Sequence, residues 1–226
     1  MFLLLERDMQ PSLHSFHPSV QPSYRLDVHL QPDERILEFV QQRFALHHDA
    51  RIEQLLPWQC TLSDGQGTLL ASAGFKPASA GPLFLEHYLE TPVEQQLASA
   101  LQQPVLRDDI LEVGNLAALD GHGRLLILAL VQYLVEQRYR YVAFTATDQV
   151  RALFRSLGLQ PHFLQSARRD LVPQPERWGR YYDHDPKVVA GDIRQGFQLL
   201  QQRPRWQQQL RQLPRCEMQL NHQEWL

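Results

Sequence analysis

The stretch from Asp109 to Leu159 decides the fold of this chain. It reads DILEVGNLAALDGHGRLLILALVQYLVEQRYRYVAFTATDQVRALFRSLGL. A strand pattern runs into a turn that bears two glycines, and a strongly apolar helix follows. The apolar strand Tyr141–Thr147 and an amphipathic helix that ends at Gly158 complete the stretch. This order predicts a βαβα unit and hence an α/β protein, in which the first strand-to-helix turn can receive an anion.

The bulk composition is typical of a globular protein. Of the 226 residues, 43% are hydrophobic and 21% are charged, which argues against a disordered chain. The formal net charge of −3 provides no basic excess for binding nucleic acid or an anionic membrane surface. Two cysteines, Cys60 and Cys216, form neither a disulfide framework nor a metal-ligand pattern. A reducing compartment is therefore the simpler expectation.

The apolar runs are too short for targeting or for crossing a membrane. The N-terminal run at Phe2–Leu5 falls short of the roughly 7–15 residues of a signal-peptide core, and no basic residue precedes it. The longest uninterrupted run, Leu125–Val131, is far below the ~20 residues that span a bilayer. We expect a soluble, cytoplasmic protein with no integral membrane segment.

A strand and a helix are predicted near the start of the folded region. Alternating apolar residues over Tyr24–Leu30 indicate a strand with one buried face. Pro32 and Asp33 then open an amphipathic helix that reaches about His48. The apolar residues at helical spacing in this helix are Ile36, Leu37, Val40, Phe44 and Leu46.

A β-hairpin and an ambiguous segment follow. The Asp64-Gly65 pair lies between the β-prone runs Cys60–Ser63 and Thr68–Phe75, which predicts a hairpin. The first half of Pro82–Leu101 fits a strand or a helix equally well. Its second half, after Pro92, has helical composition.

The region after the central unit alternates strands with a polar segment. Pro161–Ser166 is predicted to be a short strand, Arg168–Asp185 a long polar and aromatic loop, and residues 188–189 a last strand. Asp192 can cap a terminal helix, which Pro204 interrupts.

The predicted domain organisation has three parts. They are an N-terminal extension (1–22), one folded domain (23–193) and a C-terminal helical tail (194–226). The tail is basic and rich in glutamine. Such a tail is more often a solvated helix face than a docking surface.

The glycine turn at Gly121 and Gly123 is a candidate phosphate-binding site. Free N–H groups at a helix N-terminus and the charged donor Arg124 suit a phosphate or pyrophosphate, although glycines in any strand-to-helix turn would give the same pattern. The turn lacks the GK[ST] of a P-loop. It also lacks the third glycine of a dinucleotide fingerprint, since Leu126 stands in that place.

The end of the central unit resembles the closing motif of the GNAT-type N-acyltransferase superfamily. In that motif the last core helix ends in an aromatic residue and a leucine-glycine pair before a strand; here these are Phe154, Leu157 and Gly158. The resemblance implies a mixed sheet with helices on both faces. It further implies that the pyrophosphate of an acyl donor lies at Gly121–Leu125 and that the pantetheine arm lies between two splayed strands, Ile110–Leu116 and Tyr141–Thr147.

Four blocks in order resemble one branch of that superfamily, the thermostable haemolysin family. They are GPLFLEHYLETPVE, DILEVGNLA, YVAFTAT and WGRYY…PKVVAG, within residues 81–191. The resemblance implies acyl transfer from a thioester on coenzyme A or an acyl carrier protein to a small-molecule amine acceptor. The pattern also distantly resembles acyl-homoserine-lactone synthases, but those carry Glu-x-Ser-Arg where this chain has Glu112-Val113-Gly114-Asn115. The missing arginine puts adenosylmethionine use in doubt.

Glu112 and Asn115 are the predicted catalytic residues. In a regular strand their side chains point to opposite faces, but a bulge at Gly114 would bring them to one side, and GNAT folds carry a bulge in this strand. Glu112 could then orient or deprotonate an acceptor amine, with Asn115 holding amide groups. The alternative is a structural ion pair between Glu112 and a basic group such as Arg107.

The other site residues follow from the resemblance in two groups. The predicted donor-binding residues are Leu116, Gly121, Gly123, Arg124, Leu125, Thr145 and Phe154. Those that could line the acceptor side are Phe84, Glu86, Tyr88, Tyr181 and Tyr182, for which simple packing is the alternative.

Phe154 departs from the family pattern, because many members place a tyrosine there as the general acid. A thiolate of pKa near 8.5 can leave without protonation. Any acid would otherwise be Tyr181, Tyr182 or His184.

Two functions of other classes remain open. One is a membrane-damaging protein, as the family name suggests, and the other is a GNAT-shaped binding protein without catalysis. No metal site is predicted: His47 and His48 are adjacent and so lack the i, i+4 spacing of two ligands on one helical face. Cys60 is expected to be a small core residue.

Overall fold

The computed structural model describes residues 24–213. The predicted N-terminal extension, the last part of the predicted tail and Cys216 lie outside the described residues. Seven strands form one sheet: β1 (Tyr24–His29), β2 (Trp58–Asp64), β3 (Leu69–Pro77), β4 (Ile110–Ala118), β5 (Tyr141–Ala146), β6 (His162–Ser166) and β7 (Lys187–Asp192). The α-helices are α1 (Glu34–His48), α2 (Val93–Leu101), α3 (His122–Val135), α4 (Asp148–Leu157), α5 (Ile193–Gln201) and α6 (Pro204–Gln212).

The sheet is mixed, as predicted. Its strand order is β1-β2-β3-β4-β5-β7-β6, and only the central β4–β5 pair is parallel. The crossover between these two strands is α3, which gives the βαβ unit expected from the sequence. The predicted hairpin is β2–β3, and Asp64 closes it by accepting the N–H groups of Gln66 and Thr68 at 2.9 and 2.8 Å.

Helices cover both faces of the sheet. On one face, α3, α4, α5 and α6 pack over a large core that includes Cys60, Leu126 and Trp206. On the other face, α1 and α2 pack over two smaller clusters. The burial of Cys60 agrees with its prediction as a core residue.

One residue predicted for the apolar stripe of α1, Leu46, does not belong to it. Asp33 caps the helix by accepting the N–H of Ile36 at 2.9 Å, and Ile36, Val40 and Phe44 are buried. Leu46 is 65% exposed, so its prediction as part of the stripe is wrong. Leu46 lies two residues after Phe44, and two residues correspond to roughly 200° around a helix, which turns its side chain away from the core.

β4 and β5 separate at the centre of the sheet. Their pairing runs from Ile110–Tyr141 to Val113–Phe144, after which β4 continues along β3 and β5 continues along β7. At the same point β4 bulges. Gly114 pairs with Gly74 and Ala117 pairs with Ser72, so β4 advances by three residues while β3 advances by two. The predicted splay and the predicted bulge are both present.

Two irregular segments are more ordered than their sequences indicate. The ambiguous first half of Pro82–Leu101 is a 3-10 helix at Phe84–Tyr88. The predicted loop after β6 contains three 3-10 helices, at Arg169–Leu171, Pro175–Trp178 and Tyr181–His184.

The described part of the tail is helical and belongs to the core. Asp192 caps α5 by accepting the N–H of Gln195 at 2.9 Å, and Pro204 begins α6. Leu200, Trp206 and Leu210 are buried against α3 and its neighbours. Most other residues of these two helices are exposed, so residues 194–213 combine the expected solvated face with a buried apolar face.

Candidate active site

Glu112 occupies a buried position where β4 approaches the splay. The side chain is 4% exposed, and its two oxygens accept the N–H groups of Phe84 and Leu85 at 3.0 and 2.9 Å. Burial raises the pKa of Glu112 to about 7, against the opposing effect of the two N–H donors. The alternative of an ion pair with Arg107 is wrong, because Arg107 binds other carboxylates.

Arg107 instead holds Glu86 and Glu94. Its guanidinium donates to both oxygens of Glu86 at 2.7 and 2.9 Å and to Glu94 at 2.7 Å. Glu86 also accepts the N–H groups of Leu83 and Val93, and despite the cost of desolvation these donors lower its pKa to about 2. The contacts show Glu86 as a structural anchor of the 84–88 turn. Its role on the acceptor side stays a prediction.

Asn115 lies in the bulge with a positive φ of 51°. Its Oδ1 accepts the N–H of Leu56 at 2.8 Å and lies 3.0 Å from the position of a Cβ on Gly74. Gly74 pairs with Gly114, which is two residues from Glu112 and therefore on the same face. The bulge thus brings Asn115 to the face of Glu112, as predicted.

An aromatic group covers this face beside Glu112. Trp178 lies 5.3 Å from Phe84 and 5.4 Å from Tyr181 between ring centroids, and the hydroxyls of Tyr88 and Tyr182 are 2.8 Å apart. Burial raises the pKa of each of the three tyrosines, so all three are neutral near pH 7. The structure brings the four aromatic residues predicted for the acceptor side into one cluster and adds Trp178 to it.

The segment that contains Trp178 is hydrogen-bonded to the end of α1 and to the residues that follow it. The N–H of Arg180 donates to the carbonyl of His48 at 2.6 Å, and the N–H of Arg51 donates to Arg177 at 2.7 Å. Gly179 has a φ of 48°, and a Cβ there would overlap the carbonyl oxygens of His48 and Asp49. Backbone contact without a side chain therefore holds the aromatic residues over the site.

His48 is enclosed by rings at this junction. Its ring lies 5.2 Å from Tyr181 and 5.1 Å from His184. Burial, together with the neighbouring His184, His47 and Arg180, lowers the pKa of His48 to about 4. His48 is therefore neutral at pH 7.

The N-terminus of α3 lies at the end of the bulged strand. Gly121 is its N-cap with a φ of 82° and provides no side-chain acceptor, whereas Asp33, Thr147 and Asp192 cap α1, α4 and α5. The guanidinium of Arg124 lies over the ring of Trp206 at 5.7 Å, and its role in binding the donor stays a prediction. Within residues 24–213, Arg124 Nε and His122 Nδ1 are buried and have no hydrogen-bond partner.

The remaining predicted donor residues lie on both sides of the splay. Leu116 is partly buried against the larger core, and Thr145 follows the last β5 residue that pairs with β4. Phe154 stacks on Phe144 with ring centroids 4.9 Å apart. This stack forms one wall of an apolar cleft of about 80 Å³ between α3, α4, β7 and α5.

Sequence reasoning missed Trp178, His48 and the cleft as neighbours of the site. Trp178 begins the WGRYY block, and an aromatic ring next to a glycine was the sequence signal that could have identified it. The cleft had no such signal, because its walls come from elements separated by up to about 70 residues in the chain.

The family of the chain follows from a sequence comparison. Residues 28–197, well over half of the chain, match the family described as Thermostable hemolysin. The chain belongs to the thermostable haemolysin family. This agrees with the resemblance carried by the four sequence blocks, whereas a search of curated proteins found no significant match.

Solved structures show that this haemolysin-family member has a GNAT-type fold. TofI in an apo form aligns with a TM-score of 0.53 at 16% identity, covering 80% of this chain and 99% of its own. FeeM, an N-acyl amino acid synthase from uncultured soil microbes, has a TM-score of 0.53 at 12% identity, with coverage of 79% and 94%. BjaI, a coenzyme A-dependent acyl-homoserine lactone synthase, has a TM-score of 0.53 at 15% identity, with coverage of 88% and 94%. At these identities the likeness concerns the fold.

Neither a membrane-spanning helix nor a metal-binding cluster is present among the described residues. Over residues 24–213, none of the helices combines the length and the apolar character required to cross a membrane. In the same range, no group of three or more His, Cys, Asp and Glu side chains is placed to hold a metal ion.

Proposed function

We propose that this protein transfers an acyl group from a thioester to the amine of a small-molecule acceptor. The observation that carries the proposal is the splay of β4 and β5, with the buried carboxylate of Glu112 beside it and the uncapped N-terminus of α3 at the end of β4. A thioester placed in the splay would have its anionic carrier at the helix and its carbonyl near Glu112. The names of two proteins with this fold, an N-acyl amino acid synthase and a coenzyme A-dependent acyl-homoserine lactone synthase, support the reaction class.

Glu112 is suited to the role of general base. With a pKa of about 7, a substantial fraction is ionised at neutral pH, and its proton affinity is close to the ideal for a base at that pH. In the proposed step the free amine attacks the thioester carbonyl carbon, the C–N bond forms and the C–S bond breaks. Glu112 takes the proton that the nitrogen loses, and the sulfur departs as a thiolate. No tyrosine at position 154 is needed, because a thiolate is a competent leaving group.

The donor's carrier is anionic in this proposal. The unpaired Nε of Arg124 and Nδ1 of His122 lie at the N-terminus of α3, where the helix dipole favours an anion. The helices α3, α5 and α6 contain arginines and no acidic residue: Arg124, Arg194, Arg205 and Arg211. Both coenzyme A and an acidic acyl carrier protein fit this surface, and either would be the cosubstrate.

Coenzyme A tests the donor site directly. We expect saturating coenzyme A to raise the Tm of the full chain, because a ligand present at 100 times its Kd stabilises by about 2.7 kcal/mol. Gly123→Asp should abolish the increase, since it adds a negative charge at the helix N-terminus. Gly123→Ala is the matched control: a Cβ there meets Ala118 and Leu153 at ordinary contact distances of 3.5 and 3.8 Å.

The outcome separates this proposal from a binding protein or a lytic protein. If neither coenzyme A esters nor an acyl carrier protein change the Tm or bind, the acyl-transfer proposal fails. Binding of a thioester without turnover in the presence of candidate amines, α-amino acids first among them, would favour the non-catalytic binding protein.

A further inference from the structure

We propose that the apolar cleft between α3, α4, β7 and α5 binds the acyl chain of the donor, so that the protein uses fatty acyl groups longer than acetyl. This inference rests on the proposed acyl transfer and adds the class of acyl group. The cleft lies on the face of the sheet opposite Glu112.

The lining of the cleft is suited to a hydrocarbon chain. Most of its walls are aliphatic or aromatic, and the apolar side chains include Val131, Leu134, Phe144, Phe154, Ile193 and Leu199. Removing an apolar chain from water into such walls contributes in proportion to the area buried, so each methylene adds to binding. The carboxylate of Asp192 lies in the lining at the end of β7 and is held by Arg140 and by the N–H of Gln195.

The position of the cleft links it to the proposed thioester site. Phe144 lines the cleft and is also the last residue of β5 that pairs with β4. An acyl group bound at the splay therefore starts at the inner wall of the cleft. The cleft then extends to the surface between Gln160 and Leu199, both of which are exposed. This continuity selects the donor's chain as the occupant over an unrelated apolar ligand.

Phe154 explains why the cleft wall is apolar at this point. Its ring stacks on Phe144 and forms part of the cleft wall. A tyrosine at this position would place a hydroxyl in or beside an apolar space, where an unpaired polar group is unfavourable. A phenylalanine there fits a wall that faces hydrocarbon.

Two glycines provide the free space. Gly191 in β7 and Gly196 in α5 line the cleft, and each lacks the side chain that would narrow it. A Cβ on Gly196 would meet Leu159 at 3.7 Å, and a Cβ on Gly191 would meet Pro161 at 3.9 Å. Both are ordinary contact distances, so side chains can be added there without displacing the backbone. Larger side chains at these positions would shorten or close the cleft.

The test fills the cleft and compares acyl chains. In the full-length chain, Gly196→Leu should lower kcat/KM for decanoyl-coenzyme A by about tenfold or more relative to acetyl-coenzyme A, since one methylene in a hydrophobic pocket already changes discrimination by about 10-fold or more. Gly191→Val should act in the same direction. Gln198→Leu is the matched control, because it adds the same side chain to an exposed position of α5 outside the cleft.

A binding measurement makes the result independent of turnover. Titration of the wild-type protein with free decanoate in a calorimeter should show saturable binding that Gly196→Leu removes and Gln198→Leu preserves. Absence of decanoate binding to the wild type, or equal binding to Gly196→Leu, overturns the inference. Acyl transfer from acetyl-coenzyme A with no use of longer chains would also overturn it while leaving the proposed function intact. Failure with every thioester counts against the proposed function, whereas decanoate binding lost in Gly196→Leu supports the cleft by itself.

Discussion

At the scale of single residues, Glu112 combines a structural task with the proposed role of general base. Its carboxylate holds the start of the 84–88 turn through two backbone N–H groups, which connects that turn to the centre of the sheet. Its burial leaves it with a pKa of about 7, which a solvated glutamate does not have. A variant at this position should therefore show two separable effects.

We expect Glu112→Gln to lower both stability and turnover. Glutamine has one acceptor oxygen, so one of the N–H groups of Phe84 and Leu85 loses its partner, at a cost of about 1–3 kcal/mol. Turnover per folded molecule should fall about 100-fold or more, because the proton acceptor is lost. Urea unfolding and steady-state kinetics on one preparation measure both quantities.

Glu94→Gln is the control for that experiment. It weakens the contact between Glu94 and Arg107, which precedes β4, so it should lower stability with turnover unchanged. If Glu112→Gln also leaves turnover per folded molecule unchanged, then Glu112 is structural only and the proposed base is wrong.

At the scale of elements, the contact between α1 and the 168–185 segment positions the aromatic residues of the proposed acceptor side. This contact is made by backbone groups at the end of α1, and Gly179 allows the close approach. The rings of Trp178, Tyr181 and Tyr182 are positioned by it. Their placement thus depends on one residue without a side chain.

We expect Gly179→Ala to separate this segment from α1. The added methyl overlaps two carbonyl oxygens, and alanine also disfavours the positive φ, so stability should fall by about 2–3 kcal/mol. The KM for the acceptor should rise because the aromatic residues move.

Gly67→Ala is the matched control for the backbone effect. Gly67 also has a positive φ, of 84°, but a Cβ there meets nothing within 4 Å. It should therefore cost only about 1–2 kcal/mol and leave the KM unchanged. Equal losses in thermal or urea unfolding for the two variants would show that the overlap with α1 has no consequence.

At the scale of the whole molecule, Glu112 and His48 give the free energy of unfolding opposite dependences on pH. Folding raises the pKa of Glu112 from 4.5 to about 7, so its contribution is present below pH 4.5 and is lost as pH rises through 7. Folding lowers the pKa of His48 from 6.5 to about 4, so its contribution is present above pH 6.5 and is lost as pH falls through 4. The two slopes oppose each other over most of this range.

Single variants should reveal each slope. Glu112→Gln removes the falling contribution, so the stability of this variant should rise more steeply with pH between about 4 and 6.5 than that of the wild type. His48→Phe keeps an aromatic ring and removes the rising contribution, so its stability should fall more steeply between about 4.5 and 7. Urea unfolding across this pH range measures both slopes, and parallel profiles for the three proteins would contradict the assignment.

Local patterns in the sequence predicted most of the elements. The alternation in β1, the Asp-Gly of the β2–β3 hairpin, the Asp192 cap and the glycine turn before α3 each act within a few residues, so they appear in the chain itself. The bulge was also predicted, because Gly114 between Glu112 and Asn115 is a local signal. Leu46 was predicted wrongly, because it lies two residues after the buried Phe44 and so on the side of α1 that faces away from the core.

Only the tertiary structure decided the environment of the site residues. The sequence places Glu112 on a strand, but its elevated pKa arises from burial under a turn that lies 27 residues away in the chain. The sequence does not show which acidic residue pairs with Arg107. The fold places Arg107 beside Glu86 and Glu94. The cleft and the aromatic cover form where distant elements meet, and burial and contact between such elements depend on the packing of the whole chain.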